Sequence, residues 1–69
     1  MIENIEDEAF RQYESIRQSG ITNMFDLNKV TELAEDYDMT ALLEAIDEGN
    51  YGNILRNYHK AVEAGIIKR

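Results

Sequence analysis

The chain has no cysteine, no proline and no apolar run longer than three residues. Without cysteine, disulfides and thiolate metal sites are excluded, so 69 residues have to hold together by tight helix packing or by association. Without proline, nothing forces a break inside the periodic segments. The short apolar runs leave no membrane span, and residues 1–20 lack the basic start and apolar centre of a signal peptide, so a cytoplasmic protein is expected. Positive charge is scarce as well: 7 Lys and Arg face 14 Asp and Glu, a net charge of -7 that repels nucleic acid and anionic membrane surfaces. The charge is also segregated. From Glu32 to Glu48 every charged residue is acidic, whereas Arg56, Lys60, Lys68 and Arg69 crowd the end of the chain.

What is present reads as helix. Ile2, Ile5, Ala9, Tyr13 and Ile16, with Phe10 beside them, recur at intervals of three and four and predict a helix over about 4–18. Asn4 is its expected N-cap, Glu6, Asp7 and Glu8 suit its positive end, and Gly20 stops it, with Ile21 placed to pack back on Ile16. Leu27, Val30, Leu33, Ala34 and Tyr37 predict a second helix capped by Asp26, with Phe25 clamped over Val30. A third, capped by Asp38 or Thr40, buries Met39, Leu42, Leu43 and Ile46 and ends at Gly49. Asn50 opens a last helix to about residue 64, with Tyr51, Ile54, Leu55, Tyr58, Ala61 and Val62 inward. The fold class is therefore all-α: one small domain over residues 1–69, a compact bundle of about four short helices.

Between the first two helices lies the one compositionally odd stretch, Thr22-Asn23-Met24-Phe25-Asp26. As a connector, Thr22 and Asn23 turn the chain, Met24 and Phe25 plug the core, and Asp26 caps. As a recognition surface, Met24 or Asn23 projects, methionine being suited to adaptable contacts. Ile16-Arg17, Gly20 and Thr22 to Asp26, followed by Val30, Ala34, Leu42, Ile46, Glu48, Tyr51 and Ile54, resemble a group of small uncharacterised bacteriophage and prophage proteins sharing an Ile-Arg-x-x-Gly-x-Thr-Asn-Met-Phe-Asp signature. The resemblance covers residues 16–54. It implies phage or prophage origin in a bacterial host, and it supplies no activity. Asp38 stands where that group often has Gly, and the tail after Ile54 is longer.

Other constellations carry less. The second and third helices are spaced like a helix-turn-helix, yet the third holds Glu44, Asp47 and Glu48 and no basic residue, which phosphate repulsion makes unfit for reading DNA. Asp36, Asp38 and Thr40 have the opening spacing of a calcium loop, but Ala41 and Asp47 stand where Gly and Glu are required. His59 is single and reads as a surface group near a helix end. The four tyrosines read as core or interface aromatics with their hydroxyls at the surface. No catalytic, cofactor-binding or metal-ligating residue is nominated, and an enzyme is not expected. The favoured expectation is a non-enzymatic phage or prophage accessory protein that binds another protein of the host or phage. Its candidate contact residues are Asn23, Met24, Glu44, Asp47 and Glu48. An alternative is an acidic mimic of nucleic acid, with Glu32, Glu35, Asp36, Glu44, Asp47 and Glu48 occupying a host nucleic-acid-binding protein. A third is a small structural subunit that forms a homodimer through the last helix.

Overall fold

The computed structural model describes residues 2–20 and 23–68. It is all-α, with five helices among those residues: α1 (Asp7–Ser19), α2 (Leu27–Asp36), α3 (Thr40–Asp47), α4 (Tyr51–Arg56) and α5 (Tyr58–Glu63). α1 packs most extensively against α3, α2 covers both, and α5 returns to α1. One contiguous core results, in which Phe10, Ile5, Leu42, Ile54 and Val30 are the largest fully buried side chains. The radius of gyration is 10.7 Å, close to the roughly 11 Å of a compact chain this long, and Ile2 and Ile67 both pack on the core.

The first helix begins later than its hydrophobic stripe predicts. Glu3 and Asn4 take φ of 54° and 61°, and the Ile5 N–H donates to the Ile2 carbonyl at 2.8 Å. Two consecutive left-handed residues make a tight reversal, a conformation asparagine tolerates better than most. Asn4 is therefore a turn residue, not the N-cap; Glu6 holds that position without a side-chain cap bond. The reversal lets Ile5 seal the core at 1% exposure and brings Ile2 against it. At the other end Gly20 closes α1 at φ 67°, as its sequence position predicts. The expected packing of Ile21 on Ile16 and the turning role of Thr22 fall outside the described residues.

Asp26 caps α2 as expected, its side chain accepting from the Lys29 N–H at 3.3 Å. Only the middle of the predicted α2 stripe is covered. Val30 and Ala34 are buried, whereas Leu27 is 41% and Tyr37 59% exposed. Both ends of the stripe stay open to solvent, and Tyr37 borders a cleft with Ser15, Ile16 and Ser19 of α1.

α3 departs in two ways from its expected form. Neither Asp38 nor Thr40 caps it with a side chain; the Leu42 N–H is satisfied instead by Gln12 Oε1 of α1 at 2.8 Å. One orphan amide of a helix N-terminus is thus bonded across thirty positions of sequence. The buried face is also rotated: Ala41, Leu42 and Ala45 are buried, and Met39, Leu43 and Ile46 pack at its margin. Alanines allow α1 to approach closely, and the larger aliphatics are displaced to the flank.

The expected single last helix is divided at Asn57, which is buried at 7% exposure with φ −103° and ψ 12°. Its Nδ2 donates to the Asn53 carbonyl at 2.8 Å, beside its own N–H at 2.9 Å. A side chain competing for the helix's acceptor is a known cause of such an interruption. Beyond α5 the chain hooks back: the amides of Ile66 and Ile67 both donate to the Ala61 carbonyl, and Ile67 is buried at 2% exposure.

α2 and α3 end in the same hydrogen-bonded closure. Met39 N–H reaches the Ala34 carbonyl and Asp38 N–H the Glu35 carbonyl; Asn50 N–H reaches Ala45 and Gly49 N–H reaches Ile46. This paired pattern requires a left-handed residue, which is Gly49 at φ 77° in one case and Asp38 at φ 54° in the other. The spacing of Asp36, Asp38 and Thr40 is accounted for by this helix end. A non-glycine residue is strained there, so Asp38→Gly is expected to raise unfolding free energy by about 0.5–1 kcal/mol. Gly49→Ala is expected to lower it by about 1 kcal/mol, since nothing lies within 4 Å of the added Cβ and only backbone strain enters. Urea denaturation followed by helical circular dichroism measures both, and an Asp38→Gly protein less stable than the parent contradicts this account.

Candidate functional site

Among the described residues of the α1–α2 junction, three hydrogen bonds hold the turn from Asn23 to Asp26. Asn23 Oδ1 accepts from the Phe25 N–H at 2.9 Å, and the Asn23 carbonyl accepts from the Asp26 N–H at 2.9 Å. Asparagine is suited to such a side-chain turn. From α4 the Tyr51 hydroxyl donates to the Met24 carbonyl at 2.6 Å. Tyr51 is itself buried, and burial, helped by neighbouring Tyr13, raises its phenol above the ordinary tyrosine value and keeps it a donor.

The two apolar residues of the junction part company. Met24 packs against the core, while Phe25 is 80% exposed. The predicted clamp of Phe25 on Val30 does not form. Val30 is already fully covered at 0% exposure, and the bonds at Asn23 and Met24 hold the intervening turn so that one side chain faces in and the next faces out. Asn23 is exposed and Met24 half-buried. Leu27, two residues further on, is also exposed.

A second constellation lies where Tyr58 of α5 meets α1. Glu14 on α1 is only 6% exposed. Its oxygens accept from Arg17 Nε at 2.6 Å and Nη2 at 3.1 Å, from Gln18 Nε2 at 3.2 Å and from the Tyr58 hydroxyl at 2.8 Å. The Arg17 guanidinium also lies over the Tyr58 ring, 5.4 Å from its centroid. Every contact favours the carboxylate, so the group is a satisfied brace between α1 and α5. The signal for it was in the sequence as the Glu14–Arg17 spacing of three; the partner Tyr58, 44 positions on, had none.

The acidic candidates form a separate surface. Glu32, Glu35 and Asp36 of α2 and Glu44 and Asp47 of α3, with Glu48 just after it, are all exposed. Lys29 partly offsets Glu32 at 3.7 Å. Glu35, Glu44 and Asp47 border a groove of about 420 Å³ between α2 and α3, and Glu44 and Glu48 join Glu6 around a smaller cleft of about 120 Å³. Asn23 and Met24 line neither. Among the described residues no group of three His, Cys, Asp or Glu is placed to hold a metal ion, and no helix is long and apolar enough to cross a membrane. His59 is exposed, edge-on to the Tyr58 ring at 6.2 Å.

These features define a small all-α domain with a braced core, a displayed aromatic at one helix junction and an acidic α2–α3 face. The chain belongs to the family described as a domain of unknown function (DUF5049), which matches residues 1–60 and so extends on both sides of the 16–54 resemblance. No curated protein and no solved structure matches it.

The brace has a pH signature. The hydrogen bond from Arg17 is the largest influence on Glu14 and outweighs burial; with Tyr58 and Gln18 it holds the carboxyl below the ordinary range. A folded-state value below the unfolded one of about 4.3 contributes stability that is complete above that pH and is lost as pH falls through the folded value. Glu14→Gln is expected to cost about 2 kcal/mol at neutral pH. In denaturation series from pH 7 downward, the gap between parent and variant should close below about pH 4. A gap that does not change with pH contradicts the brace.

Proposed function

We propose that this protein is a non-enzymatic accessory protein of a phage or prophage, acting in the bacterial cytoplasm by binding another protein through the α1–α2 junction. The observation that carries the reading is the exposure of Phe25 at 80% on a turn whose geometry is already fixed by hydrogen bonds. Burying such a side chain on association contributes about 2 kcal/mol, and a preformed turn has little conformational freedom left to lose. In this reading Phe25 is the anchor, Leu27 extends it, Asn23 positions it, and Met24 ties the turn to the core. Phage or prophage origin is supported by the resemblance of Ile16-Arg17, Gly20 and the Thr22–Asp26 stretch to the phage signature.

One observation favours a second reading. The six carboxylates of Glu32, Glu35, Asp36, Glu44, Asp47 and Glu48 are all exposed, an arrangement that supports a mimic of the nucleic-acid phosphate array. The two readings separate in one affinity capture from bacterial host lysate, with proteins identified by mass spectrometry. For the junction reading, Phe25→Ser keeps the parent's melting temperature yet reduces partner recovery about tenfold or more. Recovery by the parent persists when salt rises from about 0.15 to 0.5 M. Undiminished recovery by Phe25→Ser, together with loss on added salt and on joint neutralisation of Glu44, Asp47 and Glu48, sinks the junction reading in favour of the mimic.

A further inference from the structure

The α2–α3 groove is not used by the junction. It exists because Ala41, Leu42 and Ala45 occupy the buried face of α3, leaving Leu43 and Ile46 half-exposed on the flank toward α2. Those two side chains form an apolar floor. Thr31 adds its methyl, its hydroxyl being bonded to the Leu27 carbonyl at 2.8 Å. Around this floor stand Glu35 from one helix and Glu44 and Asp47 from the other, with no basic residue in the lining. Among the described residues no side chain pairs with any of these three carboxylates.

The combination narrows the occupant. An apolar floor without charge accepts many ligands, and carboxylates without a floor are merely solvated. Together they match a segment that presents aliphatic side chains along one stripe and cations on both margins. The chain's own basic end does not supply it, since Ile67 is held in the core beside α1 and α5. A second copy carries the same net charge of -7 and is repelled as a whole, and nucleic acid is repelled outright.

We propose that the α2–α3 groove docks a basic amphipathic helix of a partner protein, with its apolar side chains on Leu43 and Ile46 and its Lys or Arg side chains against Glu35, Glu44 and Asp47. This deepens the interaction reading and rests on it only in taking the occupant to be a protein; the surface is distinct from Phe25.

The test is fluorescence anisotropy with two labelled synthetic peptides of equal charge. One carries Leu at helical i, i+3, i+4 and i+7 spacing flanked by Lys, and the other has every Leu replaced by Gln. At about 0.15 M salt the Leu peptide is expected to bind at least about tenfold more tightly than the Gln peptide. Glu35→Lys with Asp47→Lys should weaken it by about tenfold or more, and Leu43→Ser, on the rim of the core, should weaken it without moving the net charge. The reference variant Glu3→Lys with Glu63→Lys makes the same charge change away from the groove and should alter affinity less than about threefold. Circular dichroism confirms that each variant is folded. Phe25→Ser should leave peptide affinity unchanged, so failure here and failure of the junction reading are told apart. The proposal is overturned by equal binding of the two peptides, by equal weakening in the remote charge variant, or by no binding of the Leu peptide.

Discussion

Tyr13 lies between Tyr51 and Tyr58, with ring centroids 6.0 and 5.8 Å away in tilted and edge-on arrangements. The rest of the molecule hangs on that triplet. Its rings join α1, α4 and α5, and two of its hydroxyls make polar contacts with residues remote in sequence. Tyr51 takes the Met24 carbonyl, which settles the α1–α2 junction; Tyr58 takes Glu14, which ties α5 to α1. A domain this small has little apolar area to spare. Using each aromatic both as packing volume and as a directed donor lets the same residues fill the core and fix the chain around it.

Helix existence was legible because it is a local property. The apolar spacing that marks α1, α2 and α3, the cap at Asp26 and the stop at Gly20 are each written within a few residues; the three helices form, and the cap and the stop fall where their patterns place them. What could not be read depends on partners remote in sequence. Gln12 caps α3 across thirty positions, and Tyr51 reaches Met24 across twenty-seven. The rotation of α3 has the same origin. Periodicity marks Leu43 and Ile46 as inward, but close approach by α1 selects the alanine face. Asn57 shows the converse, a local competition for one carbonyl that divides a helix whose apolar stripe runs on unbroken.

The candidate site was legible in part for the same reason. The junction stood out by composition, and Asn23 and Met24 are the residues whose polar atoms shape it. Which apolar neighbour faces solvent was not legible, because the local rule pairs Phe25 with Val30 while the tertiary structure has already filled that place. The acidic run gave charge without shape. Only the placement of α2 over α3 gathers Glu35, Glu44 and Asp47 around an apolar floor.

The division of labour between Met24 and Phe25 is the claim on which the functional account stands, and solvent accessibility in solution tests it most directly. In NMR spectra recorded with a soluble paramagnetic co-solute, the Phe25 ring protons should relax strongly, while the Met24 methyl stays protected and shows contacts to core protons. Protection of the Phe25 ring together with strong relaxation of the Met24 methyl would contradict it.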